Sequence, residues 1–391
     1  MSEDIVITSA VRTAIGSYRK SLKSINAVDL GASVISESIK KSKIKKEEVD
    51  EVILGQVLTG GLGQNPARQA AIKSGIPIDT PAYIVNQVCG SEIRSVASGF
   101  QSIKSGDSKI LVAGGQENMS LANHAVHLRD GKKLGNVELL DTMINDGLWD
   151  AFNGYHMGIT AENVAKKFQI SRKEQDNFAL RSQQKTLKAQ KDSRFKDEII
   201  NLKIKSKKNE IDFNIDEHPR EGLNIDALSR LKPVFQNEGT VTAGNASGIN
   251  DGAAAVILMT NQEAKKRGLE KLVTIKSWAS CGVEPALMGT GPIPSTKKAL
   301  ELVGWDIKDV DLFEINEAFA AQSLAVINTL AIPEERVNVN GGAIALGHPI
   351  GASGTRILVT LIHEMIKRDV KKGLATLCIG GGMGIAMCIE R

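Results

Sequence analysis

The sequence of 391 residues predicts a duplicated α/β fold with an inserted segment. Apolar runs without polar alternation, such as ILVAGG at 110–115, are typical of parallel strands that are covered on both faces. The order strand, loop, helix, strand, loop occurs twice, whereas the middle of the chain breaks this rhythm. We therefore expect an N-terminal α/β half at 1–118, a loop domain at 119–250 and a C-terminal α/β half at 251–391.

The repeat indicates duplication because two separate similarities occur in the same order. In the first half, YIVNQVCG at 83–90 leads into a helix of small residues and then into ILVAGG. In the second half, VNVNGGAIALGHPIG at 337–351 leads into ASGTRILVTLIHEMIKR and then into LATLCIGGG. Upstream of these segments, KEEVDEVILG at 46–55 resembles KDVDLFEIN at 308–316. One such similarity would be compatible with chance, but two in the same order favour duplication.

Composition and charge narrow the class of protein. A net charge of +4 without a long basic stripe argues against a nucleic-acid binder. No apolar run approaches the roughly 18–20 residues of a membrane span, and the first residues lack a signal-peptide pattern. Four cysteines without a CxxC pair favour a reducing compartment. We therefore expect a cytoplasmic enzyme that contacts neither nucleic acid nor membrane.

Cys89 is the first candidate for chemistry. It follows the predicted strand AYIV and directly precedes Gly90 and Ser91, where a helix begins. Unpaired backbone N–H groups and the helix dipole at such a position stabilise a thiolate, which lowers the pKa of the thiol. Cys89 is thus a candidate nucleophile, although a buried structural cysteine fits the local sequence equally well.

His348 lies in the glycine-rich loop GGAIALGHPIGASG, where few bulky neighbours would keep the imidazole from a reacting group. It is a candidate general base for the Cys89 thiol, and the alternative is a surface histidine. The spacing of Gly342 and Gly347 imitates a phosphate-binding loop. That interpretation fails because His348 and Pro349 stand where Lys and Ser or Thr are required.

Two further positions complete the candidate site. Cys378 ends a strand before a glycine stretch, so it could exchange protons while the bare backbone at Gly380 binds an oxyanion, or it could be a core cysteine. Asn316 could cap a helix, hold a water or polarise a carbonyl. No dinucleotide fingerprint follows a strand, and His124 and His127 lack a third ligand, so we expect neither a nicotinamide cofactor nor a metal.

Together these segments resemble the thiolase family over nearly the whole chain. The resemblance is carried by long motifs: VNQVCGS (85–91), AGGQENMS (113–120), YHMGITAENVA (155–165), DEHPR (216–220), LKPVF (231–235), GTVTAGNASGINDGAAA (239–255), EINEAFA (314–320), NGGAIALGHPIGASG (340–354) and CIGGGMG (378–384). It implies a five-layer αβαβα core with an inserted loop domain.

The resemblance also implies roles for the candidate residues. Cys89 would be acylated by a thioester after activation by His348, and Cys378 would move the proton of the second substrate's α-carbon. One oxyanion would lie between His348 and a water held by Asn316, the other between the N–H groups of Cys89 and Gly380.

The resemblance further implies coenzyme A thioesters as substrates and no separate cofactor. Arg220 would lie near the nucleotide, and further positions would line the pantetheine and acyl ends, namely His156, Met157, Phe235, Ala243, Ser247, Met288, Ala318 and Phe319. The expected reaction is the condensation of two acetyl-CoA to acetoacetyl-CoA and CoA, and its reversal. A degradative 3-ketoacyl-CoA thiolase and a catalytically silent acyl-CoA-binding protein are the alternatives. Residues 127–143 are similar to a loop through which such enzymes form homotetramers.

The chain departs from the family at Glu92, where a small residue is usual. A carboxylate there would raise the pKa of Cys89 if it pointed toward the sulfur, and would have no effect if it faced outward. Gln116 and Asn118 also replace the more usual residues on either side of Glu117.

Overall fold

The computed structural model describes residues 3–206 and 209–391. Its strands, numbered along the chain, are β1 Ile5–Thr13, β2 Gly16–Ser17, β3 Glu51–Gly55, β4 Ala82–Val85, β5 Ile110–Asn118, β6 His124–Ala125, β7 Leu140–Asp141, β8 Trp149–Asp150, β9 Tyr155–His156, β10 Ile199–Ile200, β11 Leu202–Ser206, β12 Asn209–Phe213, β13 Asn250–Thr260, β14 Val273–Gly282, β15 Leu312–Ile315, β16 Lys372–Ile379 and β17 Met383–Glu390.

The α-helices are α1 Ala27–Ser42, α2 Pro66–Lys73, α3 Ser91–Ser105, α4 Met157–Lys167, α5 Arg172–Lys191, α6 Ile225–Ser229, α7 Asn261–Lys266, α8 Pro292–Val303, α9 Ala320–Leu330, α10 Ala343–Leu346 and α11 Ser353–Arg368. A π-helical turn covers Met143–Leu148. In the described part of the chain, no helix is both long and apolar enough to cross a membrane.

Local sequence explains where several helices begin and end. The Asn26 side chain accepts a hydrogen bond from the Asp29 N–H at 2.9 Å and so starts α1. Ser171 and Glu174 form the reciprocal capping box that the sequence predicts for α5. Gly106, at a φ of +87°, ends α3 in a left-handed conformation that a residue with Cβ adopts only at a cost.

The strand order confirms the duplication. The first half-sheet runs β4-β3-β5-β13-β1, where β13 comes from beyond the insert, and the second half-sheet runs β15-β16-β17-β14. Strand β3 is parallel to β5, just as β15 is parallel to β16. In the second half, a single parallel bridge between Phe313 and Val337 takes the place of the β3–β4 pair of the first half. The halves join edge to edge through two residue pairs between β1 and β14. The predicted arrangement of strands is therefore present twice.

Helices cover both faces of each half-sheet and give the five layers. In β5, Leu111 and Ala113 belong to a central apolar cluster with α3 and α11, whereas Ile110 and Val112 face the cluster that holds α1 and α2. Helices α8 and α9 pack with β15 and β16 on the far side. Both faces of a strand are thus buried, which explains why its sequence lacks polar alternation.

The inserted segment returns to the first half before the second begins. Strand β13, which follows it, pairs antiparallel with β1 and β5 of the first half-sheet. Helix α5 lies within the insert and packs against α9 and α10. The boundaries at 118 and 250 stay a prediction.

A buried ion cluster ties the insert to the first strand. Arg12, on β1, is fully buried and donates to Glu198 at 2.7 Å and to both carboxylate oxygens of Asp216 at 2.7 and 3.0 Å. Asp216 also accepts from the Ile15 N–H at 2.8 Å. A buried guanidinium is stable only when its charge is compensated, so both carboxylates are needed there.

We expect Asp216→Ala to lower the free energy of unfolding by about 3–5 kcal/mol, because it leaves a buried charge half compensated. The midpoint of urea denaturation, followed by circular dichroism, measures this. Asp212→Ala removes an exposed carboxylate that pairs with Lys203 and should leave the midpoint nearly unchanged. Equal midpoints for the two variants would show that the buried ion cluster does not contribute this free energy of unfolding.

Candidate active site

The nucleophile candidate lies in a tight turn between β4 and α3. Val88 has a φ of +46°, a strained value for a β-branched residue. The Ser91 hydroxyl accepts from the Gln87 N–H at 2.9 Å and donates to the Val88 carbonyl at 2.6 Å, which holds the turn. Cys89 is therefore fixed at the start of α3.

His348 lies in the corresponding loop of the second half, before α11. The backbone N–H of His348 donates to Asn250 Oδ1 at 3.0 Å. The Nδ1 atom of its ring lies 2.5 Å from Ser353 Oγ. Ser353 uses its one hydroxyl hydrogen on the Pro349 carbonyl at 2.9 Å, so its oxygen accepts from Nδ1–H. This pattern assigns the free lone pair to Nε2, which can accept a proton.

Burial keeps this imidazole neutral. It lowers the pKa of His348 to about 3, with a smaller contribution from the charge of Arg356. A neutral ring with a free Nε2 has the form that a general base requires.

The Cys89 thiol does not have the lowered pKa that the sequence predicts. Burial raises the pKa of Cys89 to about 11, and a hydrogen bond from the Gly380 N–H only partly opposes this. The prediction was wrong because the loss of hydration outweighs the backbone hydrogen bonds to the sulfur. At neutral pH the thiol is thus protonated and must pass its proton to a base.

Cys378, at the end of β16, is the second thiol. Burial raises the pKa of Cys378 strongly, and the charge of a Cys89 thiolate raises it further. The two thiols are thus close enough to interact electrostatically, although residues 89 and 378 are 289 positions apart in the sequence.

A cavity of about 300 Å³ connects these groups with the predicted substrate positions. Its walls are mostly apolar. The predicted residues that line it are Cys89, His156, Met157, Phe235, Ala243, Ser247, Met288, Ala318, Phe319, His348 and Gly380. The ring of His156 stacks on Phe235 with centroids 4.6 Å apart, and Phe235 meets Phe319 edge to face.

Three predicted residues lie behind or outside this wall. Cys378 is packed under it with Met157, Met288 and Phe319. Arg220 is exposed, and its charge acts on His218, whose ring lies against Gly248.

Asn316 is the third of these residues, and it is not a helix cap. Helix α9 begins after Phe319, so the capping alternative is wrong. The Asn316 Nδ2 lies 3.4 Å from His348 Nε2, and its Oδ1 has no hydrogen-bond partner within the described protein. Its side chain therefore faces the reactive nitrogen of the imidazole.

Sequence reasoning missed two residues that position the site. Ser353 orients His348, and its place in the GHPIGAS motif was a usable signal. Glu117 is fully buried and accepts from the N–H groups of Val57 at 3.0 Å and Leu58 at 3.3 Å. It also accepts from Gly351, which belongs to the His348 loop.

Neither alternative for Glu92 is correct. Its side chain is fully buried, so it does not face outward, and it contributes nothing to the raised pKa of Cys89. Its Oε2 accepts from the Thr355 N–H of α11 at 3.0 Å. Among the described residues, no group of acidic, histidine or cysteine side chains is arranged to hold a metal ion.

A half-buried thiol at the cavity, a second, buried thiol behind its wall and a neutral imidazole define an enzyme with a cysteine nucleophile. Residues 5–262 match the family description "Thiolase, N-terminal domain", and residues 269–391 match "Thiolase, C-terminal domain". The chain belongs to the thiolase family.

Similar proteins include both bacterial and mammalian enzymes. An acetyl-CoA acetyltransferase of Rhizobium meliloti is 57% identical over 99% of this chain and 98% of its own length. The structure of the Bacillus anthracis acetyl-CoA acetyltransferase is 44% identical, with a TM-score of 0.98 over 100% of this chain and 99% of that one. Human mitochondrial 3-ketoacyl-CoA thiolase is 40% identical, with a TM-score of 0.96 over 99% and 98%.

The raised pKa of Cys89 predicts a particular pH dependence of its reactivity. Because only the thiolate reacts readily and the pKa is about 11, alkylation by iodoacetamide should keep accelerating, about tenfold per pH unit, from pH 7 to pH 10. Mass spectrometry of the Cys89 peptide measures the rate, and Cys89→Ser confirms the assignment. A rate that levels off below pH 8 would show a stabilised thiolate instead.

Proposed function

We propose that this chain condenses two acetyl-CoA molecules to acetoacetyl-CoA and CoA and catalyses the reverse thiolysis, through an acetyl-Cys89 intermediate. The observation that carries the proposal is a cavity lined by Cys89 and His348, with the Cys378 thiol packed behind its wall and close enough to Cys89 to interact electrostatically. Relatives that are 53–58% identical carry the name acetyl-CoA acetyltransferase, which supports the same reaction here.

In the first half of the reaction, His348 Nε2 takes the proton of the Cys89 thiol as the sulfur attacks the acetyl carbonyl. The oxyanion forms near Asn316, whose Nδ2 points to the same nitrogen. Cys378 donates its proton to the departing CoA sulfur, so that acetyl-Cys89, a Cys378 thiolate and a protonated His348 remain. The imidazole is unprotonated in the free enzyme, so its Nε2 can accept the Cys89 proton, although burial makes the imidazolium costly.

In the second half, the Cys378 thiolate formed in the first half takes a proton from the methyl group of the second acetyl-CoA. The resulting carbanion attacks acetyl-Cys89 and forms the new carbon–carbon bond. The N–H of Gly380, which reaches the Cys89 sulfur in the free enzyme, is placed to donate to the oxyanion together with the N–H of Cys89. Collapse of this intermediate releases acetoacetyl-CoA, and His348 returns its proton to the Cys89 sulfur.

The apolar wall supports a pantetheine channel. Phe235, Ala243 and Ser247 line the cavity, and the exposed Arg220, whose charge acts on His218, supplies positive charge for the nucleotide. The acyl end is enclosed by Met157, Met288 and other members of the cluster around Cys378. Coenzyme A thioesters are thus the substrates, with no further cofactor assigned.

Exposed apolar side chains support the remaining proposals on assembly. Leu128, Leu134 and Leu139 lie on the surface within residues 127–143, where they suit burial against other copies in a homotetramer. The four cysteines are free thiols, which supports a cytoplasmic location.

Incubation with acetyl-CoA should transfer an acetyl group to Cys89, detected by mass spectrometry of the peptide. Cys378→Ser should still be acetylated but should condense acetyl-CoA about 10²–10⁴-fold more slowly, because proton transfer from carbon is lost. Cys388→Ser replaces a buried cysteine outside the cavity and is the matched control, with near-normal turnover. Tight CoA binding without acetylation of the wild type would support a silent acyl-CoA-binding protein instead.

Chain length separates the two thiolase alternatives. Because Met157, Met288 and Phe319 crowd the acyl end, we expect thiolysis to be fastest with acetoacetyl-CoA and to fall for six-carbon and longer 3-ketoacyl-CoA substrates. Comparing kcat/KM over such a series measures this. A value that increases with chain length would favour the 3-ketoacyl-CoA thiolase, to which the fold is also closely similar.

A further inference from the structure

Glu92 is a buried carboxyl group in the first turn of the helix that follows the nucleophile. It is the second residue of α3, three positions after Cys89, and no part of its side chain is exposed. Its Oε2 accepts from the Thr355 N–H at 3.0 Å, and the Arg356 N–H also donates to the carboxyl. Glu92 thus connects the start of α3 with the start of α11.

This contact supplies what the sequence of α11 lacks. The residue before the helix, Ala352, has no side chain that could accept from the free N–H groups of the first turn. Thr355 is the third residue of α11, the position whose N–H a capping side chain normally binds. Glu92 therefore caps α11 from another helix.

Two glycines make room for the carboxyl group. A Cβ on Gly115 would stand 2.2 Å from Glu92 Cγ, and a Cβ on Gly354 would stand 2.7 Å from the Ile93 backbone nitrogen. Helices α3 and α11 can approach closely only because Gly354 has no side chain. The capping contact is thus built into the packing of the central layer.

The first turn of α11 also orients the general base. Ser353 begins this helix, and its Oγ accepts from His348 Nδ1 at 2.5 Å. Glu92 holds the helix two residues further on, at Thr355. The start of α3, which directly follows Cys89, is therefore linked through Glu92 and Thr355 to Ser353 and His348.

The geometry makes Glu92 a hydrogen-bond acceptor for the first turn of α11. Burial raises the pKa of Glu92 well above its usual range, and the charge of Glu117 raises it further. The N–H groups of Thr355 and Arg356 and the charge of Arg356 act in the opposite direction. Glu92 Oε1 has no hydrogen-bond partner in the described protein, so the contact with α11 is made by Oε2.

We propose that Glu92 is a positioning residue that fixes His348 relative to the Cys89 thiol by capping α11. The effect on turnover rests on the proposed function, whereas the effect on α11 does not. A glutamine keeps the accepting oxygen in nearly the same shape. An alanine leaves the Thr355 N–H buried and without its acceptor, so the first turn of α11 loosens.

The test compares Glu92→Ala and Glu92→Gln with Ser95→Ala as the matched control. Ser95 is buried on the same helix, and its hydroxyl binds the carbonyls of Glu92 and Gly114 at 2.7 Å, neither of which belongs to α11. Steady-state condensation gives kcat and KM, and hydrogen exchange of a peptide covering 348–357 reports on α11. Melting temperatures show how much stability each variant has lost.

For Glu92→Ala we expect kcat to fall about 10- to 100-fold with little change in KM, because displaced reacting groups lose rate while the cavity walls stay. Its α11 peptide should exchange faster. Glu92→Gln should restore both to within about threefold of wild type, on the same scale of effects. Ser95→Ala should lower the melting temperature and leave kcat nearly unchanged.

Three results would overturn the proposal. The first is a Glu92→Ala protein with wild-type kcat and wild-type exchange at α11. The second is a Glu92→Gln protein as impaired as Glu92→Ala, which would require the charge. The third is a Ser95→Ala protein with the same loss of kcat, which would reduce the effect to stability. A wild-type protein that fails to acetylate Cys89 would instead refute the proposed function, and the exchange measurement would still test the capping.

Discussion

Buried carboxyl groups that accept from backbone N–H groups are the interaction on which the active site depends. The loop before α11 and the segment at Val57 and Leu58 lie inside the protein, so their N–H groups have no water to bind. Glu117 accepts from Val57, Leu58 and Gly351, and Glu92 accepts from Thr355. Each glutamate fixes a segment that carries or adjoins a reactive group. Burial raises the pKa of both carboxyls, which is the cost of this arrangement.

The same interaction recurs in the inserted segment and behind the histidine loop. Glu162, on α4, accepts from the N–H groups of Thr240 and Val241 at 2.7 Å and so holds the loop that continues to the cavity wall. Glu317 accepts from Ile344 at 3.2 Å and from Asn338 at 2.9 Å, close before His348. The rigid wall of the cavity therefore follows from carboxyl groups outside it. Such groups are tolerated because each accepts several hydrogen bonds.

Local sequence predicted the repeated elements and the residues in the loops, but not the contacts between the halves. Strand order and the capping box at Ser171 follow from patterns a few residues long. The contact between Glu92 and Thr355 joins residues 263 positions apart, and no local pattern encodes it. The pKa of Cys89 was predicted in the wrong direction for the same reason. A helix start is visible in the sequence, whereas the depth of burial depends on both halves.

The electrostatic coupling of the two thiols gives the proposed reaction an order. A thiolate at Cys89 raises the pKa of Cys378, so both thiols cannot readily be charged together. Once Cys89 carries an acetyl group it has no charge, and this opposition disappears. Cys378 can then lose its proton more easily than while Cys89 is a thiolate. Burial still keeps the pKa of Cys378 high, and a thiolate of high pKa is the stronger base for a proton on carbon. The arrangement thus favours carbon deprotonation after acylation, when an electrophile is in place to receive the carbanion.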